Sequence, residues 1–141
     1  MDRNLILTAH FTLHEFDLYP KRGFDFKPYP EEWIDDRLRP LCLDLEVIRA
    51  RIDEPILILS GYRTREYNIN IAGADQSRHI YGEAADITVR SLPSWKLFME
   101  ILELHREKKL TRIRGLGIYD THCHVDIRAT KRLISWDLRK K

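Results

Sequence analysis

Apolar positions along this chain follow two periods, and each marks a different kind of element. Leu41, Leu45, Ile48 and Ile52 recur at the i, i+4, i+7, i+11 spacing of one buried helical face. Acidic Glu31 and Glu32 favour a helix starting near Glu31, and Pro40 should kink or restart it. Residues 55–60 form a short apolar run that reads as a strand and ends at Gly61. Residues 65–71 suit a brief helix closed by Gly73, and Ile87-Thr88-Val89 a second strand. Ser94 is placed to cap a longer helix in which Trp95, Phe98, Ile101 and Leu102 share one side. Residues 116–119 and 122–128 are the last strand candidates, paired through an Asp120-Thr121 turn. Residues 19–30 are rich in turn formers and read as a surface loop. Helices, strand, strand, helix and two strands predict an α+β fold. It is expected to be a single domain over 1–141, with a small, mostly antiparallel sheet flanked by helices.

Composition adds bounds to this picture. A chain of 141 residues with 43% apolar content can build one core, and no repeat or low-complexity tract divides it. A formal net charge of +2 does not call for a nucleic-acid partner. An isoelectric point near 8.6 is compatible with a polyanionic surface such as a bacterial wall. Cys42 and Cys123 make neither a CxxC motif nor a disulfide framework, so synthesis in a reducing compartment is expected. The first 20 residues hold only the short apolar patch Leu5-Ile6-Leu7, then His10, His14 and Glu15. Neither a signal peptide nor a membrane span is read there; the expectation is cytoplasmic synthesis, with delivery by another agent if the target lies outside the cell.

The chemistry concentrates in two segments, Ser77-Arg-His79-Ile-Tyr-Gly82-Glu-Ala84-Ala-Asp86 and His122-Cys-His124-Val-Asp126. Together they offer two imidazoles and a carboxylate, the ligand set of a catalytic zinc site that leaves a fourth position for water or substrate. His79 and Asp86 are too far apart for one helical turn, so a bend must unite them, and Gly82 permits it. A strand after Asp86 gives that ligand a rigid mount.

Ser60-Gly-Tyr-Arg63, Ser77-x-His79-x-x-Gly82-x-Ala84-x-Asp86 and His122-x-His124-x-Asp126 resemble the zinc D-alanyl-D-alanine carboxypeptidase family. That family includes peptidoglycan-cleaving phage endolysins and vancomycin-resistance dipeptidases. The resemblance runs from Phe11-Thr-Leu-His-Glu-Phe16 to Trp136, nearly the whole chain. It implies the fold of the hedgehog signalling domain, with His79, Asp86 and His124 as zinc ligands. It also implies a peptidase acting on peptidoglycan stem peptides, at a D-Ala-D-Ala, L-Ala-D-Glu or cross-bridge bond.

The dipeptidase branch places a glutamate three residues before its last histidine ligand; here Thr121 stands there and cannot serve as base. His122 lies two residues before His124, so in a strand both side chains emerge on one face. His122 is therefore the expected acid/base, as in His-x-His members of the family, with Asp120 the runner-up. Asp126 shares the same face and is expected to orient an imidazole. Arg63, after a buried strand and a glycine, can hold a planar fork beside the metal for a substrate carboxylate or an oxyanion. Ser77 is a candidate substrate hydrogen-bonder, and equally a loop-stabilising serine. His10 and His14 lack a third ligand and read as solvated or capping, His105 as surface, and Cys123 as core. The tail from Leu138 to Lys141 reads as a solvated end. The expected activity is a zinc metallopeptidase of cell-wall peptides, monomeric and with no nucleic-acid or membrane partner. Two alternatives stand beside it: a non-catalytic zinc-binding module, and a wall-binding structural component of a phage particle.

Overall fold

Strict alternation along three central strands splits the sheet into an apolar face and a polar one, and this split positions the site. The structure is a computed structural model that describes residues 2–141. Its main sheet runs β3 (Leu57–Ser60), β4 (Ala84–Thr88), β6 (Cys123–Asp126), β5 (Gly115–Ile118), β7 (Ile134–Asp137) from edge to edge. All neighbours are antiparallel except β5 and β7, which run parallel. Ala85, Ile87, Leu116, Cys123 and Val125 are buried in the core with the helices. Asp86, His124 and Asp126 alternate with them and so face the other way.

The core is closed by α1 (Arg39–Ile52) and α3 (Ser94–Arg106). Leu41, Leu45 and Ile48 of α1 are fully buried, as the periodicity predicts, while Ile52 is partly covered. The segment before α1 is not one helix with a kink. A 3₁₀ turn (Glu31–Trp33) runs into a π turn (Ile34–Leu38), and α1 starts at Arg39 with Pro40 in its first turn. Pro40 cannot donate to the helical turn before it, and there the bonding takes the wider π pattern, the Arg39 N–H reaching the Ile34 carbonyl. Buried Asp44 of α1 accepts the backbone N–H groups of Arg112 and Ile113 at 2.8 Å, fixing where the chain enters β5.

The α3 face needs correction. Leu97, Ile101 and Leu104 are its buried stripe, and Trp95 is 50% exposed. Pro93, not Ser94, occupies the cap position, and the Ser94 hydroxyl instead donates to the Tyr119 carbonyl at 2.6 Å. A short helix, α2 (Arg65–Asn70), is capped by Thr64, whose hydroxyl accepts the Tyr67 N–H. The first strand of the sheet begins at Leu57, later than the run from residue 55, although Ile56 is already buried. Two elements have no counterpart in the periodicity: the hairpin of β1 (Ile6–Thr8) and β2 (Phe11–Thr12), and the edge strand β7. Cys42 and Cys123 are buried and unpaired. His10 sits on Glu46, His105 is partly covered, and residues 138–141 are exposed. Among the described residues no helix is long and apolar enough to cross a membrane.

Candidate metal centre

One loop and two strands bring the candidate ligands together on the polar face of the sheet. Residues 77–82 form a chain of tight turns in which the Ser77 hydroxyl accepts the His79 N–H at 3.3 Å. Gly82 closes the turn with φ +68°, a left-handed conformation that suits glycine. Any Cβ there would also meet the Tyr29 hydroxyl at 2.6 Å and the Trp33 ring at 2.7 Å. This bend brings His79 back over β4, where Asp86 projects from the strand and pairs in register with His124 of β6.

The ring nitrogens decide what the cluster can hold. The Nδ1–H of His79 donates to the Gly61 carbonyl at 2.7 Å, which leaves a lone pair on Nε2. His124 donates from Nε2 to Asp126 Oδ2 at 2.7 Å, which leaves a lone pair on Nδ1. Both lone pairs face the same oxygen, Asp86 Oδ1, at 3.1 and 3.2 Å. Neutral imidazoles have one N–H each, and both are already spent. With both rings neutral, three acceptors therefore converge within 4.8 Å of one another, a set that a metal ion satisfies at once and that a proton on His124 satisfies in its absence. Two nitrogens and one carboxylate oxygen match zinc's preferred donors and leave a fourth tetrahedral position free. The residues present fit Zn2+.

Burial and charge tune each group. Burial lowers the His79 pKa, keeping the ring neutral and able to ligate. Burial raises the Asp86 carboxyl, but the His79 and His124 imidazoles outweigh it and hold the group below the usual carboxylate range. Burial also lowers His124, yet hydrogen bonding to the Asp126 and Asp86 carboxylates raises it overall, so this ring attracts a cation or a proton. Asp126 is fully buried and is gripped by Arg128 through Nε and Nη2, each at 2.8 Å.

His122 stands at the mouth of a cleft of about 520 Å³, with Nε2 3.8 Å from Asp86 Oδ2. Its Nδ1 lies 3.0 Å from the Thr121 hydroxyl, and burial lowers its pKa. Asp120 is exposed and outside this cleft; its carboxylate accepts the Lys140 N–H at 3.3 Å. Arg63 lines the cleft, donating to Asp86 Oδ2 at 3.1 Å and to Ser60 Oγ and Asn68 Oδ1 at 3.2 Å. Ser77 lines it too, with its hydroxyl accepting the His79 N–H.

Four residues of the site escaped the motif reading. Asn68 is 1% exposed and bridges Arg63 to the Ala74 carbonyl, steadying the cleft wall. Arg128, Tyr119 and Trp136 also line the cleft. Arg128 had a usable signal, since it follows Asp126 at the two-residue strand period. Gly115 had another, because a strand glycine marks a close approach. A Cβ on Gly115 would overlap the Asp126 carboxylate. Gly115→Ala should therefore cost about 1–3 kcal/mol as overpacking, seen as a lower thermal midpoint, and should weaken zinc affinity in titration. Wild-type affinity in that variant would mean that Asp126 can move without disturbing His124.

This α+β scaffold, with a buried His/Asp/His cluster open on one side, defines a metal-site domain of the zinc-hydrolase kind. The chain belongs to the peptidase M15 family, whose profile matches residues 9–126. It is also similar to the zinc D-Ala-D-Ala carboxypeptidase of Streptomyces albus G, 36% identical over 75 residues. That alignment covers 52% of this chain and 28% of the relative, so the match spans under a third of that protein's length.

Proposed function

We propose that this protein is a zinc metallopeptidase of bacterial peptidoglycan, its 141 residues acting as one catalytic domain. The observation that carries the reading is the convergence of three lone-pair donors on one point beside an open cleft. His79, Asp86 and His124 would hold the metal. Zinc bound there supplies Lewis acidity, polarising a scissile carbonyl and bringing the pKa of water down to about 7. His122 acts as the acid/base. Its ring is kept neutral by burial, and a proton on Nδ1 directed at Thr121 leaves Nε2 free to face the cleft. It takes the proton of the attacking water and returns it to the leaving amine.

Arg63 anchors the substrate. Three of its five N–H groups bond Asp86, Ser60 and Asn68, and the other two have no partner among the described residues and suit a substrate carboxylate or an oxyanion. Arg78 and Arg128 also line the cleft but are paired with Glu83 and Asp126, so Arg63 is the group that suits an acidic peptide end such as a D-Ala-D-Ala terminus. The site of action is the cell wall. Digestion of purified peptidoglycan by the zinc-loaded protein, with products read by mass spectrometry, tests the function and assigns the bond. Release of D-alanine marks carboxypeptidase activity, and free L-alanyl termini mark L-Ala-D-Glu cleavage. Unchanged peptidoglycan in the presence of bound zinc would favour the non-catalytic module.

Arg63→Lys keeps the charge but loses the planar fork. Hydrogen bonds to charged groups are worth about 1.5–3 kcal/mol, so kcat/KM should fall about ten- to a hundredfold while zinc content holds. Unchanged kinetics would make Arg63 a structural residue.

A further inference from the structure

One row across the sheet reads Asp86, His124, Gly117, Trp136 on β4, β6, β5 and β7. Adjacent strands lie about 4.8 Å apart, so side chains separated by a whole strand start roughly 10 Å apart and normally do not touch. Gly117 removes the obstacle. A Cβ there would overlap the Trp136 indole, which instead lies across the glycine and reaches the His124 ring at 5.3 Å between centroids. From that position the indole Nε1–H donates to the Tyr119 hydroxyl at 3.1 Å. The Tyr119 ring in turn lies flat on His122, with centroids 4.6 Å apart and planes within 8°. On its other side Trp136 carries the Arg128 guanidinium at 5.1 Å, the same group that grips Asp126 behind His124.

We propose that Trp136 is a positioning residue for the catalytic cleft, setting His124 by direct ring contact and His122 through Tyr119. The proposal deepens the peptidase reading and rests on it for the roles of the two histidines. Its consequence is a boundary: β7 lies beyond residue 126, where the family match ends, yet it is part of the working site. A strand serving only to close the sheet edge would need no indole N–H aimed at Tyr119. The link through Tyr119 matters because His122 is only partly buried and its one side-chain hydrogen bond is to Thr121, its neighbour in sequence.

The bond between Trp136 and Tyr119 can be cut from either end. Trp136→Phe keeps an aromatic ring over Gly117 and loses the donor; Tyr119→Phe keeps the stack and loses the acceptor. On the full zinc-loaded chain each single variant should lower kcat about tenfold, the low end of what loss of an outer supporting partner costs. KM and zinc content should stay near wild type. The double variant should be no worse than the poorer single one, because both changes remove the same link. In the metal-free protein the His122 ring C–H signals in NMR should sit upfield from the Tyr119 stack, and Trp136→Phe should move them toward free-imidazole positions. Multiplying kcat losses in the double variant, or His122 signals that do not move, would overturn the proposal. Should Trp136→Phe fold poorly, Tyr119→Phe reads the same link alone, by its kcat and by the displacement of the His122 signals. Wild-type protein that cleaves no wall peptide would sink the peptidase reading, while the NMR arm still decides whether Trp136 positions His122.

Discussion

His79→Ala and His124→Ala should each leave the protein with neither bound zinc nor hydrolysis. Each substitution removes one of three donors from a tetrahedral site, and the two that remain cannot form the closed set a resident zinc needs. The Gly61 carbonyl and the Asp126 carboxylate, which orient the two rings, would be left without their imidazole partners. Elemental analysis of purified protein should fall from about one zinc per chain to near none. Full occupancy in both variants would remove the metal assignment and the mechanism with it. Affinity should also decline in acid, because the imidazoles ligate only when deprotonated. The sign follows from His124. Its pKa is raised overall, so it takes up a proton at a higher pH than an ordinary histidine, and proton competition with the metal begins there. His79, lowered by burial, resists protonation to a lower pH. Chelator-treated protein should lose activity and regain it on adding zinc.

The ligating segment was legible because its spacing is chemically specific. A histidine, a glycine-permitted bend and an aspartate leading into a strand leave few ways to be arranged, and φ +68° at Gly82 is the bend that spacing required. The α+β class and the antiparallel pairing of β5 with β6 were legible from helix and strand periods. What sequence could not give is local in cause. Ile134-Ser-Trp-Asp137 is an edge strand with three of four residues exposed, so it carries no alternation to detect. Trp95 looked like a core residue by type, yet 50% of it is exposed, because the buried stripe of α3 passes through Leu97 instead. Pro40 marked an interruption in the helix from Glu31, but not its form as a π turn that buries Ile34 and Leu38. Trp136 acts through Tyr119 and His124 on other strands, and Asn68 through loop contacts to Arg63 and Ala74 that follow no helix or strand period, so spacing alone encodes neither.

His122→Ala should keep its zinc and lose roughly a hundredfold or more in kcat, the usual contribution of a positioned acid/base. A hundredfold is about 2.7 kcal/mol of transition-state stabilisation. Retention of the metal is expected because His122 contributes no atom to the cluster: its Nε2 stands 3.8 Å from Asp86 Oδ2, while the ligand nitrogens are at 3.1 and 3.2 Å from Oδ1. Asp120→Asn is the matched control. Its carboxylate is exposed, holds the Lys140 N–H and lies outside the cleft, so the change should cost less than a factor of a few in rate. The pH profile separates the two further. Burial lowers the His122 pKa, so the acid limb of the wild-type rate should fall below the ordinary histidine value of about 6.5 and vanish in His122→Ala. Zinc loss in His122→Ala would make it a ligand. A severe Asp120→Asn defect beside an active His122→Ala would hand the proton to the carboxylate.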